Sequence, residues 1–400
     1  MSGAAERDGA DCVALLEQLV AIPSTFPPGD SSAICRHIAA RLEEWGYRVE
    51  VASRAPGVDN VIARIGTPAA DGRAELVFNS HIDTVGIGHG WDTPPLALTA
   101  SADGRLAGLG AANCKGSAAT HLWLAYLLAS RGGPQRGEVV FTFVGDEENL
   151  GPDGTRFLAE AGLVRPRLLI LGAPTANQLV VRERGVMWVR IDALGKGAHA
   201  GQPEAGDSAV LRLLRLLQHL QRELGARLAT RRAGTLVSTM NIGTIEGGDN
   251  TNVVPAHAGA TLDRRLLPEA ESVAGAYREI VELLAAADEP AGSYRTELLT
   301  GTDGFSAKVD GPLVSAFRAA AAALDAGELA IVEAIGASDG RYFAGTDTEI
   351  INFGPGEGAQ GHAPNESVAR AELLQACHIL AGVLERLAGF RDAPPPLRPA

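Results

Sequence analysis

Residues 76–84 read LVFNSHIDT, an apolar run that ends in His81 and Asp83. A short apolar stretch without alternation is typical of a strand that is buried on both faces of a sheet. A second run of this kind lies at 138–144, and segments with helical periodicity separate the strands. Strands that alternate with helices predict an α/β fold, in which helices cover both faces of a mixed, mostly parallel sheet.

The sequence pattern changes near residue 182, where alternating strands replace the buried runs. A strand–helix–strand–strand–helix order then predicts a smaller α+β domain of ferredoxin-like type, inserted at 182–291. The flanking segments 1–181 and 292–390 together form the predicted large domain. The Pro-rich residues 391–400 are expected to be a mobile tail.

Charge and composition limit the possible partners. The chain has 35 Lys plus Arg against 48 Asp plus Glu, a formal net charge of −13, which disfavours nucleic acid and anionic membrane surfaces as partners. No apolar run approaches the roughly 20 residues of a spanning helix, and the polar, acidic start does not resemble a secretory signal. We therefore expect a cytoplasmic protein.

The four cysteines are far apart and never in CxxC spacing. A disulfide framework or a structural zinc knuckle is therefore not expected. We interpret them as reduced thiols that mostly pack in the core; they are Cys12, Cys35, Cys114 and Cys377.

His81 and Asp83 follow the first buried strand at its carboxyl end, where α/β sheets place ligands. With a spacing of two, both side chains of an extended segment face one way. This suits a metal-bound imidazole whose other nitrogen is held by a carboxylate. A capping aspartate beside a solvated histidine is the alternative that these two residues leave open.

Three adjacent acids, Asp146, Glu147 and Glu148, follow the second buried strand. They repel one another unless a cation or a raised pKa relieves them. One of them can bind a metal while its neighbour acts as general base on water. A solvated acidic turn is the alternative. Two further features indicate a functional site only weakly when taken alone. They are the glycine-rich segment 108–116 and a distant histidine, His362.

Taken in order, these motifs resemble the dizinc acylamino-acid hydrolases and exopeptidases, which include acetylornithine deacetylase, succinyl-diaminopimelate desuccinylase, aminoacylase-1 and the glutamate carboxypeptidases. The resemblance extends from Leu15 to Leu387 through SHIDTV, WDTPPL, GLGAANCKG, DEEN, LGAPT, GKGAHAGQP, IEGGDNTNVVP, LDRRLLPE, ASDGRYF, FGPG and HAPNE. It implies a catalytic domain with an inserted dimerisation and lid domain, and a homodimer built on that insertion.

The resemblance also implies roles for individual residues. It assigns His81 to one metal, Glu148 and His362 to the other, Glu147 to general base and Asp83 to orienting His81.

For the substrate, the resemblance makes His199 the group that reaches a neighbouring subunit's site to stabilise the oxyanion. Asn252 and Arg265 would hold the substrate carboxylate. An ion pair with Asp263 is the alternative for Arg265. The glycines expected around the substrate are Gly354 and Gly356.

Two positions depart from the family pattern. Asn113 replaces an aspartate that bridges both metals, and Ala173 replaces an acidic ligand. A bridging ligand needs two oxygens that share negative charge, whereas an amide offers one neutral oxygen and a donor nitrogen. We therefore expect at most one well-held ion, near Glu148 and His362 with Asn113 as a weak ligand. Cys114 is a possible substitute thiolate, although we expect its neighbour's side chain to point the other way.

Zinc is the expected ion, with manganese, cobalt or no metal as alternatives. Three functions follow: metal-dependent hydrolysis of an amide bond, a non-hydrolytic reaction such as amide-bond formation or acyl transfer, and non-catalytic binding. The first two share a small substrate, an N-acyl amino acid or dipeptide-like molecule with a free carboxylate. The retained substrate groups favour an enzyme.

Overall fold

The computed structural model describes residues 2–334 and 336–391. The predicted mobile tail therefore lies, except for Arg391, outside the described residues. The chain folds into two units, a large one and a small one. The small unit consists of Arg182–Ser306 and Glu333–Ala337, and the large unit contains the rest of the chain. Among the described residues, none of the helices is both long and apolar enough to span a membrane.

The large unit has a mixed sheet with helices around it. Its described α-helices are Ser2–Ala21, Ser32–Glu44, Lys115–Ser130, Thr155–Glu160, Pro312–Ala323 and Arg370–Leu387. In spatial order, the strands of the main sheet are Phe305–Ser306, Leu179–Glu183, Glu349–Asn352, Pro166–Leu171, Ala74–His81, Glu138–Val144, Val58–Gly66 and Arg48–Ala55, and Ile331–Ala334 pairs with Leu179–Glu183. Residues 182–183, 305–306 and 333–334 of these strands belong to the small unit. The four strands from Glu349–Asn352 to Glu138–Val144 are parallel to one another.

Short strands complete the large unit. Thr25–Phe26 pairs with Thr84–Val85, and a three-stranded sheet contains Thr99–Ala100, Arg105–Ala107 and Ser367–Ala369.

The central strands are buried on both faces, as their apolar sequences predict. Every residue of Glu138–Val144 is buried, and Phe78 stacks on Phe141 with ring centroids 5.0 Å apart. Helix Lys115–Ser130 is apolar around most of its circumference and is largely buried, as expected for a helix enclosed by other elements. The predicted α/β class is confirmed.

The small unit has a four-stranded antiparallel sheet. In spatial order its strands are Thr239–Gly247, His257–Leu266, Gly185–Leu194 and Tyr294–Thr302. Two short strand pairs accompany it, Ala198–His199 with Val253–Val254 and Arg232–Ala233 with Leu236–Val237. Its helices are Ala209–Leu228 and Val273–Ala285, capped by the hydroxyls of Ser208 and Ser272. The order of elements is that of a ferredoxin-like fold.

The small unit continues to Ser306 rather than ending at residue 291. Strand Tyr294–Thr302 pairs with Gly185–Leu194 along almost its whole length, from Tyr294 opposite Ala193 to Thr302 opposite Val186. This fourth strand supplies an edge of the sheet, so a boundary at 291 would remove it.

Candidate metal centre and active site

His81 and the acidic run lie at the same edge of the sheet. His81 ends its strand directly opposite Val144, the last residue of the neighbouring parallel strand. The acids that follow Val144 therefore come to the carboxyl edge beside His81, where α/β sheets bind ligands. The imidazole is buried, with only 8% of its side chain exposed.

Asp83 fixes the positions of two neighbours. Its Oδ1 lies 3.4 Å from Nδ1 of His81, and its Oδ2 accepts a hydrogen bond of 2.9 Å from the backbone N–H of Glu148. The backbone carbonyl of Asp83 is also 3.1 Å from Nδ1. These contacts hold Nδ1 and leave Nε2 directed toward the acids.

Three donor side chains converge at this edge. Nε2 of His81 is 3.8 Å from Oε2 of Glu147, and donor atoms of His81, Glu147 and Glu148 all lie within 4.8 Å of one another. Burial would lower the pKa of His81, but Cys114, Glu147 and Asp83 hold it well above its usual value. Burial raises the pKa of Glu148. A group of this composition can hold one divalent cation.

His362 approaches Glu148 from the other side. Its Nε2 lies 2.9 Å from Oε2 of Glu148. Asn113 donates from Nδ2 to Oε1 of the same carboxylate at 2.9 Å, and this nitrogen is 3.1 Å from Nε2 of His362. An amide nitrogen is a donor and cannot ligate a cation. As oriented here, Asn113 therefore donates a hydrogen bond directly to the Glu148 carboxylate.

The donor chemistry of the site fits one ion better than two. His81, Glu147 and Glu148 provide one nitrogen and two carboxylates, and Oδ1 of the buried Asp83 lies 3.4 Å from Nδ1 of the imidazole. A carboxylate in that position orients a ligating histidine. Asn113 and Ala173, where the resemblance leads one to expect acids, supply no negative charge.

Sequence reasoning missed Glu366 as a functional residue, although its motif HAPNE was recognised. Its buried carboxylate accepts the backbone N–H groups of Gly110, Ala112 and Asn113 at 3.0, 3.0 and 2.6 Å. Lys115 is fully buried nearby, and burial lowers its pKa to about 7 against the opposing charges of Glu366 and Asp83. These groups fix the loop that carries Asn113.

Asp339 and Arg341 of the ASDGRYF motif were also not given roles from the sequence. Burial and then the charge of Glu147 raise the pKa of Asp339 to about 7. Thr155 donates to Asp339 at 2.6 Å, and the Arg341 guanidinium donates to the hydroxyl of Tyr342 at 2.7 Å. Only the folded chain shows that this motif faces the general-base candidate.

Cys114 lies beside His81, where its charge and hydrogen bonding raise the imidazole pKa. The thiol is fully buried and donates to the carbonyl of Gly172 at 3.1 Å. Asn113 contacts Glu148, whereas the Cys114 thiol contacts the Gly172 carbonyl.

The structure places His199 and Asn252 together within the small unit. His199 pairs with Val253 in a short ribbon, and the N–H of Ala200 donates to the carbonyl of Asn252 at 3.0 Å. Both side chains are exposed. The Nδ1 atom of His199 accepts from the N–H of Gly201 at 3.0 Å, which leaves Nε2 open.

Arg265 forms the ion pair that the sequence left as its alternative. Its Nε donates to Oδ1 of Asp263 at 2.9 Å, while Trp188 donates to Oδ2 of the same carboxylate at 2.8 Å. Both charged side chains remain partly exposed. The ion pair with Asp263 orients the Arg265 guanidinium through Nε. Its other N–H groups can still donate hydrogen bonds to a substrate.

Gly354 and Gly356, the two glycines expected near the substrate, lie where a side chain would clash with neighbouring residues. A Cβ at Gly354 would lie 2.3 Å from Oγ of Ser117, and Gly356 has a φ of +92°. Their N–H groups donate to Thr175 and to Glu372, respectively.

Comparison with known proteins identifies the family. Residues 77–386 match the model described as Peptidase family M20/M25/M40. A succinyl-diaminopimelate desuccinylase from Rhodospirillum centenum is 30% identical over 394 residues, which cover 94% of this chain and 97% of the relative. An acetylornithine deacetylase from Myxococcus xanthus is 28% identical over 398 residues, covering 94% and 98%.

Solved structures share the fold. The crystal structure of an M20 family metallo-carboxypeptidase from Sulfolobus solfataricus superposes with a TM-score of 0.73 at 16% identity, and the match covers 94% of this chain and 99% of that one. The resemblance that the motifs carry is confirmed along nearly the whole length. The chain therefore belongs to peptidase family M20/M25/M40 and is a hydrolase of that family.

Proposed function

We propose that this protein hydrolyses the amide bond of a small N-acyl amino acid or dipeptide-like molecule with the help of one divalent ion, most simply zinc. The observation that carries the proposal is the convergence of His81, Glu147 and Glu148 at the carboxyl edge of the sheet. The relatives named for removing succinyl and acetyl groups from amino acids support this class of substrate.

Glu147 is the general base in this proposal. It is only partly buried, with 15% of its side chain exposed, so it can contact a water molecule or a substrate. It takes a proton from water and returns it to the leaving nitrogen. An ion held by His81 and Glu148 would lower the pKa of bound water and polarise the carbonyl.

The single ion is proposed at His81 and Glu148 rather than at Glu148 and His362. Asn113 turns its amide nitrogen toward both Glu148 and His362, which supports this choice. Asp83 supports it as well, because its contacts direct Nε2 of His81 toward the acids.

A homodimer completes the proposal, with His199 acting on the partner's substrate and Arg265 holding the substrate carboxylate. The small unit offers a surface for a second copy. Its edge strand Thr239–Gly247 exposes Ile242 and Ile245. These side chains line an apolar cavity of about 440 Å³ together with Leu214 and Leu217 of the adjacent helix. Exposed apolar surface on an open sheet edge is typical of an interaction site.

The test is Glu147→Gln assayed on a panel of N-acyl amino acids with added zinc. Removing the base should lower kcat by roughly 100- to 10,000-fold while KM changes little, because the substrate contacts remain. Amine release from each substrate measures turnover. Glu50→Gln, at an exposed strand position, is the matched control and should retain full activity.

Full activity of Glu147→Gln would contradict the mechanism. A zinc-loaded wild-type protein that binds amino acids and releases no amine would favour the non-hydrolytic reaction instead.

A further inference from the structure

We propose that Cys12 and Cys377 are a redox-sensitive pair, which a peroxide converts to a disulfide. The bond joins helix Ser2–Ala21, here called the N-terminal helix, to helix Arg370–Leu387, the C-terminal helix. Both helices belong to the large unit. The inference is independent of the proposed function, because neither cysteine belongs to the proposed site.

The two thiols are in direct contact. Sγ of Cys377 lies 3.2 Å from Sγ of Cys12, although the residues are 365 positions apart in the sequence. Both residues are buried, with exposed fractions of 1% and 0%. A disulfide has an S–S length of about 2.05 Å, so the sulfurs need to approach each other by only roughly 1 Å.

Helical periodicity directs both cysteines into the core. Cys12 precedes the buried Leu16 and Leu19 by four and seven positions in the N-terminal helix. Cys377 follows the buried Leu373 by four positions in the C-terminal helix. Residues at these spacings share one face of a helix. Each thiol is therefore carried by a regular helix that packs in the core, and this packing keeps the two sulfurs together.

The other two cysteines contact backbone carbonyls. All four cysteines are buried free thiols. The thiol of Cys35 donates to the Asp59 carbonyl at 2.9 Å, and the thiol of Cys114 donates to the Gly172 carbonyl at 3.1 Å. The structure therefore distinguishes Cys12 and Cys377 from the other cysteines as a pair with thiol–thiol contact.

The redox step requires a peroxide as oxidant. One thiol attacks hydrogen peroxide, its sulfur takes up one oxygen to become a sulfenic acid, and one water molecule leaves. The second thiol then attacks that sulfur, the S–S bond forms, and the oxygen leaves as a second water molecule. In total the two thiols lose two electrons and two protons, which reduce the peroxide to water.

The oxidant reaches the buried pair when the N-terminal helix opens locally. An element at a chain terminus opens at a lower free-energy cost than the centre of a domain. Once a sulfenic acid forms and the helix closes, the second thiol is in contact with it. It therefore reacts before a further peroxide molecule can oxidise the sulfur irreversibly.

The disulfide joins two helices that support the candidate site. Nζ of Lys115 donates at 2.9 Å to the carbonyl of Ile22, the residue after the N-terminal helix. Glu372 of the C-terminal helix accepts from the N–H of Gly356 at 3.0 Å. A cross-link that closes a long loop restricts the unfolded chain and stabilises the native one. The oxidised protein should therefore unfold at a higher temperature than the reduced protein.

The experiment treats the native protein with hydrogen peroxide, alkylates the remaining thiols in urea with iodoacetamide, and maps the peptides by mass spectrometry. We expect a Cys12–Cys377 disulfide that dithiothreitol reverses, with the other two of the four cysteines alkylated. Cys377→Ser should lose this cross-link. Cys35→Ser is the matched control and should keep it, because the Cys35 thiol contacts the Asp59 carbonyl.

Three results of the peptide map would overturn the inference. They are four alkylated cysteines after peroxide treatment, a disulfide that involves Cys35 or Cys114, and a sulfinic acid at Cys12 without any disulfide.

A second measurement needs no variant and so does not depend on folding of a mutant. Thermal unfolding of the wild type is compared before oxidation, after oxidation and after reduction with dithiothreitol. The oxidised protein should melt several degrees higher, and dithiothreitol should restore the original value. An equal or lower melting temperature of the cross-linked protein would refute the disulfide as a stabilising link.

Discussion

In the proposed single-ion site, Asn113 is the residue that limits the number of ions. Its amide nitrogen donates to Glu148 and faces His362, so two potential ligands are occupied by a hydrogen-bond donor. The change from a carboxylate to an amide removes one negative charge and one acceptor oxygen. The proposal of a single ion therefore depends on this amide, together with the missing acid at Ala173.

Restoring both acids should restore the second ion. We expect the double variant Asn113→Asp with Ala173→Glu to bind about two zinc ions per chain against about one in the wild type, since each new carboxylate offsets cationic charge. Elemental analysis after dialysis measures the ratio. Asn149→Asp adds a charge at an exposed neighbour in the acidic run and should leave the ratio unchanged. An unchanged ratio in the double variant would show that the pocket lacks the geometry for two ions.

Helix Lys115–Ser130 carries a histidine that links stability to pH. His121 is completely buried, and its Nδ1 lies 2.8 Å from the Ser80 hydroxyl. Burial lowers its pKa from 6.5 to about 3. Between those values the unfolded chain binds a proton that the native chain does not, so stability rises with pH through this window and is lost as the pH falls.

For one such group, the free energy of unfolding changes by up to about 1.4 kcal/mol per pH unit in this window. We expect His121→Gln to flatten the dependence of the free energy of unfolding between about pH 3 and 6.5, with urea unfolding as the measurement. His37→Gln is a suitable comparison, because the ring of His37 is only partly buried. Equal slopes in wild type and His121→Gln would contradict the assignment.

The edge strand Thr239–Gly247 is the surface through which we propose that two copies of the chain form a dimer. Ile245 is 56% exposed on that strand, and a charge there would be desolvated if a second copy covered it. We expect Ile245→Asp to shift the protein from dimer to monomer in light scattering. Val51→Asp, at a position 49% exposed on the edge strand Arg48–Ala55, should not. A monomeric wild type that remains active would refute action of His199 on the partner's site.

At the level of the whole chain, the sequence predicted the central sheet because strands buried on both faces must be apolar throughout. It missed the last strand of the small unit, Tyr294–Thr302, because one face of that strand is exposed and the alternation is weak. The proximity of His81 to Glu147 and Glu148 was predictable, because the parallel strands that precede them end at the same edge of the sheet. The hydrogen bonds by which Glu366 holds the loop that carries Asn113 were not predictable, because they join segments far apart in sequence.

The main segment of the small unit begins and ends with two neighbouring residues, Arg182 and Ser306. The N–H of Ala307 donates to the carbonyl of Val181 at 2.7 Å, and the next residues inward, Arg182 and Ser306, are paired in an antiparallel register. Neighbouring strands are about 5 Å apart, so a two-residue turn is enough to rejoin the chain after excision. Residues 182–306 can therefore be exchanged as one piece without rebuilding the strands that carry His81 and Glu147.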